Sequence, residues 1–482
     1  MKKATEMISY GKIFYTMGII LFILATAMII PVIVDFCLIN DTYLCFTISG
    51  VFCCFIGGLL FFSNKSDENI TLNLKEKILV VLFSWIGVPI ISSLPLIMAS
   101  LNISYMDCIF EMISALTTTG ATIIFNTKIL SEGLLLWRSL LQLLGGVGFI
   151  ISCLYVFSDF LNPTLFEYNN YSKNLTLSRQ LKIIICLYSI FSLISLFMLI
   201  GSGISAIDAM QYSLGAISSG GILISEINCS ATSPMILVIL SILMFTSGIS
   251  ITFIKNLSSN GFCALRDQQF ICYVFIIMVC IVLFSIYAVL FADVSIWEGI
   301  KIAVLTVTSS ISTTGITVQF PESLSTTFTN AFVYIMNFCG GCSGSCTGGI
   351  KIFRLIMTFL LIKSYLIRLI KTNIIYVPTY AGNRLDETYV TGLFSYFLCY
   401  LSFAISMSLA LSISDLDFSK AFSAVLTSMN NNGPFFGLHR ATVMEISNLS
   451  SFAKITLMMS MIAGRVEFIP FLMIFLRHFW KK

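Results

Sequence analysis

Four short stretches of this chain have the composition of a site for a dehydrated cation: LTTTGAT (116–122), ISSGGIL (217–223), STTGIT (312–317) and NNNGPFF (430–436). A cation stripped of water needs oxygen ligands, and a ring of backbone carbonyls supplies them. Glycine admits the dihedrals that turn carbonyls inward. The Thr, Ser and Asn beside it add hydroxyl or amide oxygens and occupy little room. Aligning the glycines gives Gly120, Gly220, Gly315 and Gly433, spaced 100, 95 and 118 residues apart. One such turn is equally a helix C-cap; four at near-regular spacing point to one shared site.

The segments around the turns show what must hold them. Ahead of each lies a half-apolar stretch too short to span a bilayer (106–116, 206–217, 295–308, 417–428), with an acid near its start: Asp107, Asp208, Glu298 and Asp417. Acids in a first helical turn suit the macrodipole, whose negative end then faces the glycine turn and favours a cation; they read as caps rather than ligands. A helical span needs on the order of 20 apolar residues. Ten runs qualify, at about 13–34, 44–62, 78–99, 134–158, 183–201, 235–255, 270–291, 329–362, 390–412 and 450–475. The pattern predicts an all-α polytopic membrane protein. Four pseudo-symmetric units of outer helix, re-entrant half-helix, glycine turn and inner helix (71–165, 166–265, 266–375, 376–482) surround one pore, behind a two-helix extension (1–70). The eighth run is interrupted by FCGGCSGSCTGGIK (338–351). Glycine-rich backbone at membrane depth is tolerated only where protein buries it or water meets it, which makes this loop a second candidate site.

Composition agrees. The 482 residues are 57% hydrophobic and only 10% charged, against about 25% charged in a soluble chain, and mean hydropathy is +0.96; a soluble enzyme is excluded. The net charge of +4 is too small to suggest nucleic acid as a partner. After the basic MKKATEMISYGK no small-residue cleavage site follows, so a retained first helix is expected. With the N-terminus inside, Lys and Arg fall 20 inside against 6 outside, which places both ends in the cytoplasm. The fifteen Cys lie in apolar stretches. Cys339, Cys342 and Cys346 have ligand-like spacing without a fourth partner, and His439 and His478 stand far off, so no metal centre is expected. An enzyme would need a convergent constellation of His, Asp or Cys, which the sequence does not offer. A sodium- or proton-coupled transporter of another cation or solute, the alternative, would place acids at mid-span; none is clearly there.

The glycine turns, WRSLLQLLGGVGFI (137–150), GGCSGSCTGGIKIFR (340–354) and AGRVEFIPFLMIFLRHFWKK (463–482) together resemble the Trk/Ktr/HKT potassium transporter superfamily over essentially the whole chain. The spans before residue 65 make it most similar to the bacterial Trk-type membrane subunits. The resemblance implies potassium uptake across the cytoplasmic (inner) membrane, with the potassium ion as transported ligand and no covalent cofactor. It assigns a selectivity filter to Thr118, Thr119, Gly120, Ser218, Ser219, Gly220, Thr313, Thr314, Gly315, Asn431, Asn432 and Gly433. An intramembrane gate would comprise Gly340, Gly341, Gly344, Ser345, Gly348 and Gly349, with Arg465 near the pore. A homodimer in membrane lipid and a cytosolic NAD- or ATP-binding regulatory subunit are further implied. Ser219, Asn432 and Cys346-Thr347 depart from the family's usual residues.

The charged residues near the second site have readings of their own. Arg465 within a span costs about 2.5–3.5 kcal/mol, so it is expected to face pore water or pair with another segment; Glu467, two residues on, lies off its face. Lys351 and Arg354 read equally as positive-inside anchors. Gly145, Gly146 and Gly148 are expected to let helices approach closely.

Overall fold

The computed structural model describes residues 8–65, 71–124, 129–157, 177–221, 232–316, 322–324, 326–371, 377–380, 383–385, 387–433 and 447–480. His439, the ends of three turns (222–223, 317 and 434–436) and the basic residues Lys2, Lys3, Lys128, Lys173, Arg440, Lys481 and Lys482 lie outside them. Among the described residues, seven helices are long and apolar enough to cross a membrane: Tyr10–Cys37, Thr42–Ser63, Leu74–Met98, Glu132–Val156, Lys182–Gly201, Gln268–Phe291 and Val390–Ser412. Their outward faces carry exposed large apolar residues, among them Phe55, Phe62, Phe197, Phe275 and Leu398. Such faces suit lipid, and the chain is a multi-pass membrane protein.

Three of the ten expected spans are not single helices. The break at 340–351, between helices Thr327–Cys339 and Ile352–Ile370, is the expected one. The run 235–255, expected to be continuous, is instead Pro234–Ser247 and a second helix from Ile251, diverging by 100°. The broken loop of the third unit enters this bend and takes up the backbone groups it frees: Gly248 O accepts from Cys342 N at 2.9 Å, and Ile251 N donates to Gly344 O at 3.3 Å. Buried backbone groups demand partners, so the two breaks satisfy each other. The run 450–475 is likewise divided, into Ser451–Val466 and Phe468–Met473, by Glu467 at φ +65°. Among the described residues the strand pairing is a two-residue antiparallel hairpin, Thr379–Tyr380 with Asn383–Arg384.

Four half-helices precede the glycine turns: Tyr105–Leu116, Ala206–Ser218, Ile296–Ile311 and Phe418–Met429. The first three are capped by serines rather than by the acids expected to do so. Ser104, Ser205 and Ser295 accept the amides of Asp107, Asp208 and Glu298 at 3.2, 3.2 and 3.3 Å. Asp417 occupies the N-cap position without a side-chain cap bond. Asp107 pairs with Lys454 of the last inner helix at 2.6 Å, tying unit one to unit four. One core cluster joins the N-terminal pair with units one and four; a second joins units two and three.

Candidate cation pore and gate

Each half-helix ends in the same turn. Thr118, Ser219, Thr313 and Asn431 have φ of +54, +56, +51 and +50°. The next amide in each turn reaches five residues back: Thr119 N to Ser114 O, Gly220 N to Gly215 O, Thr314 N to Ser309 O and Asn432 N to Thr427 O, at 2.8–3.0 Å. Left-handed backbone at β-branched Thr118 and Thr313 costs on the order of 1–3 kcal/mol and persists only where the surroundings impose it.

These bonds correct the alignment of the second turn. Gly220 is the counterpart of Thr119, not of Gly120; the counterpart of Gly120, Gly315 and Gly433 is Gly221. The reason is local: the second half-helix runs on through Ser218, whose hydroxyl bonds back to Leu214 O at 2.6 Å within that helix. Ser218 therefore stands outside the repeated triplet. Close approaches give the same register. A Cβ on Gly120 would lie 3.0 Å from Gly221 N, one on Gly221 2.0 Å from Thr314 O, one on Gly315 2.0 Å from Gly433 O, and one on Gly433 2.6 Å from Thr119 O. The four turns thus touch in cyclic order and close a ring.

The ring is built largely from polar residues. Thr118, Thr119, Ser219, Thr313, Thr314, Asn431 and Asn432 are all buried. Thr118 Oγ1, Asn431 Oδ1 and Asn432 Oδ1 have no hydrogen-bond partner among the described residues. Buried acceptors without donors are costly. Asn431 Nδ2 donates to Thr119 Oγ1 at 3.1 Å and to Met461 O at 3.0 Å, joining the fourth turn to the first.

A buried ion pair braces the first turn, and sequence reasoning missed it. Glu111, in the half-helix, meets Arg138, in the inner helix, at 2.8 Å; they are 0% and 3% exposed. The carboxylate also accepts from Thr122 Oγ1 (2.8 Å) and Ile123 N (3.0 Å), just beyond Gly120. Arg138, counted among the outside charges, is interior. The available signal was one acid and one base, each embedded in an apolar stretch of the same unit, where each needs the other. Glu111→Leu is expected to cost about 3–5 kcal/mol by leaving Arg138 buried and unpaired. Glu111→Leu/Arg138→Met should recover much of it in detergent thermal unfolding; a double-variant loss equal to the sum of the two single-variant losses would show the two residues uncoupled.

The broken loop lies against the ring. Gly348 N donates to Thr313 Oγ1 at 2.7 Å, and Ser219 Oγ donates to Cys346 O at 3.1 Å. A Cβ on Gly348 would fall 1.9 Å from Asn430 O. Within the loop Gly340, Gly344 and Gly349 have positive φ. Gly341 N donates to Thr347 Oγ1 at 3.1 Å, and Ser345 Oγ shares a hydrogen with Thr347 Oγ1 at 2.7 Å. Cys346 bonds through its thiol to the Tyr188 hydroxyl and to Ile217 O. Among the described residues no set of three or more His, Cys, Asp or Glu side chains is grouped to hold a metal ion, Cys339, Cys342 and Cys346 included.

Arg465 meets neither sequence expectation in full. It is 1% exposed, so it does not face open water, and no carboxylate pairs with it among the described residues. Its Nη1 donates to Cys346 O at 2.7 Å and its Nη2 to Gly145 O at 3.4 Å, with the guanidinium 4.3 Å from the Phe149 ring centre. Glu467 pairs instead with Arg354 at 2.5 Å. Lys351 is not an interfacial anchor but is buried inside the loop. Of the three packing glycines, Gly145 and Gly146 admit close neighbours, Leu116 O and Ser218, while a Cβ on Gly148 would meet nothing within 4 Å.

A membrane-spanning helical chain whose four re-entrant turns close a ring of buried polar residues, with a broken-helix loop packed against it, has the architecture of a cation-conducting pore. The chain matches the TrkH family, described as cation transport protein, over residues 44–482, and it belongs to that family. The Trk system potassium uptake protein TrkI of Halomonas elongata is 28% identical over 408 residues, 83% of this chain and 82% of the relative. The Trk system potassium uptake protein TrkH of Escherichia coli (strain K12) is 26% identical over 482 residues, 96% of this chain and 98% of the relative. The crystal structure of the potassium transporter TrkH from Vibrio parahaemolyticus superposes with a TM-score of 0.89 at 24% identity, covering 98% of this chain and 100% of that one, and shows the shared fold.

Proposed function

We propose that the protein takes up potassium across the cytoplasmic membrane through the ring of four turns, with both termini in the cytoplasm. The observation that carries this reading is the set of buried, donorless oxygens of Thr118, Asn431 and Asn432 in a closed ring of glycine turns. The filter is Thr118–Gly120, Ser219–Gly221, Thr313–Gly315 and Asn431–Gly433. Residues 340–349, latched by Arg465, are the gate, because any ion leaving the ring toward the cytoplasm meets them. The names of the Trk-system relatives support potassium as the ion. A homodimer and a cytosolic NAD- or ATP-binding regulatory subunit complete the reading.

Flux into proteoliposomes tests it. Potassium and rubidium are expected to permeate better than sodium, without an imposed sodium or proton gradient. Equal sodium and potassium flux would remove the filter assignment. A strict need for a sodium or proton gradient would favour the coupled-transporter alternative.

A further inference from the structure

The gate loop is folded around a charge of its own. Lys351 closes the loop at φ +75°, a left-handed conformation that a long side chain rarely adopts. That backbone turns the side chain back into the loop it has just ended. The ammonium donates to Ser345 O at 3.3 Å, to Thr347 Oγ1 at 3.2 Å and to Thr347 O. The Phe149 ring, the ring that also carries Arg465, covers it at 5.1 Å. Lys351 is 5% exposed, and no carboxylate pairs with it among the described residues. Glu467, which could have served, is engaged by Arg354.

We propose that Lys351 is a tethered cation around which the gate loop closes. Its ammonium stands among the oxygens of Ser345 and Thr347 where a free monovalent cation would otherwise bind, and its withdrawal into the cytoplasmic space is part of opening. The inference rests on residues 340–349 being the gate.

The choice of ligands gives the contact its character. An ammonium is a compact charge with three donors, which three neighbouring oxygens and an aromatic face can satisfy. Burying it against a carboxylate would be hard to reverse, because separation would leave two unpaired charges. Carbonyls leave no such debt: once Lys351 departs they are neutral groups that water can solvate. The loop is otherwise built from glycine, serine, threonine and cysteine, with little apolar surface to keep it closed. Lys351 and Arg465 therefore grip it together, Lys351 from inside through Ser345 and Thr347, Arg465 from outside through Cys346 O. The left-handed backbone at Lys351 adds local strain that release relieves, which helps a two-state element switch.

Flux per folded protein in proteoliposomes tests the proposal. Lys351→Met, which keeps the length of the side chain and removes its charge, is expected to raise potassium flux at least about tenfold, given the usual worth of hydrogen bonds to a charged group. The potassium-over-sodium ratio should not change. Lys351→Ala should be equally open, and propylammonium at the cytoplasmic face, which replaces the missing atoms, should lower its flux again. Tetramethylammonium, with no N–H donor, should not. Propylammonium should lower the flux of Arg465→Gln far less than that of Lys351→Ala, since the tethered side chain competes for its own site. Should the lysine variants fail to fold, reductive methylation followed by mass spectrometry needs no change at residue 351: Lys351 should be protected in the wild-type protein and modified in Arg465→Gln. Wild-type flux in Lys351→Met beside raised flux in Arg465→Gln would overturn the tethered cation but keep the gate. Wild-type flux in both would remove the gate itself. Equal block of Lys351→Ala and Arg465→Gln by propylammonium would reveal simple pore block and overturn the proposal, as would equal methylation of Lys351 in wild-type and Arg465→Gln protein.

Discussion

Gly221→Ala is expected to reduce potassium flux by about a hundredfold, the equivalent of about 3 kcal/mol lost from the ion site by overpacking, while Gly220→Ala stays within about fivefold of the wild type. The two glycines are adjacent and differ in what surrounds them. A Cβ on Gly221 would lie 2.0 Å from Thr314 O and 2.7 Å from Gly315 C, backbone of the next turn that cannot move without opening the ring. A Cβ on Gly220 would meet the far end of Gln142 at 2.9 Å, a side chain able to shift. Moreover, the position of Gly220 is held in the other three turns by Thr119, Thr314 and Asn432, so the turn accommodates a side chain there. Flux measured beside size-exclusion profiles of the two variants checks this. A more severe loss in Gly220→Ala would restore the simple glycine alignment and undo the register found in the structure.

Arg465→Gln is expected to raise maximal potassium flux at least about tenfold, from hydrogen bonding to a charged group worth about 1.5–3 kcal/mol. The potassium-over-sodium ratio should stay nearly unchanged. Arg465 donates to Cys346 O, on the side of the loop that faces the ring, and so opposes its departure. A fixed positive charge near the pore also repels a passing cation, by about 1.7 kcal/mol at ~10 Å with an effective dielectric of ~20. Both effects are removed together by glutamine. No carboxylate is stranded by the change, because Glu467 keeps Arg354, so the yield of folded protein should hold. Poor detergent stability with no gain in flux would assign Arg465 to the scaffold.

Hydropathy and the glycine turns made the architecture legible without coordinates. Lipid-facing helices must be apolar along a whole bilayer thickness, and a local turn must carry its own permissive residues, so both leave their mark in contiguous sequence. The half-helices, the four turns and the break at 340–351 could therefore be read directly. The structure adds what depends on contacts between distant segments. Gly220 and Gly221 are both glycines in a row of small residues, and only the bond from Gly220 N to Gly215 O, together with the approach of Gly221 to Thr314, distinguishes them. The bend after Ser247 is marked by no proline; it exists because the loop of another unit supplies Gly248 and Ile251 with hydrogen bonds. Charges are the least legible of all. Sequence position divided Arg138, Lys351 and Arg465 among an outer mouth, an inner anchor and a pore charge, whereas each is buried, on Glu111, on loop carbonyls and on Cys346 O respectively. A side chain of that length can reach partners from any neighbouring helix, and which partner it finds is set by packing that no local pattern encodes.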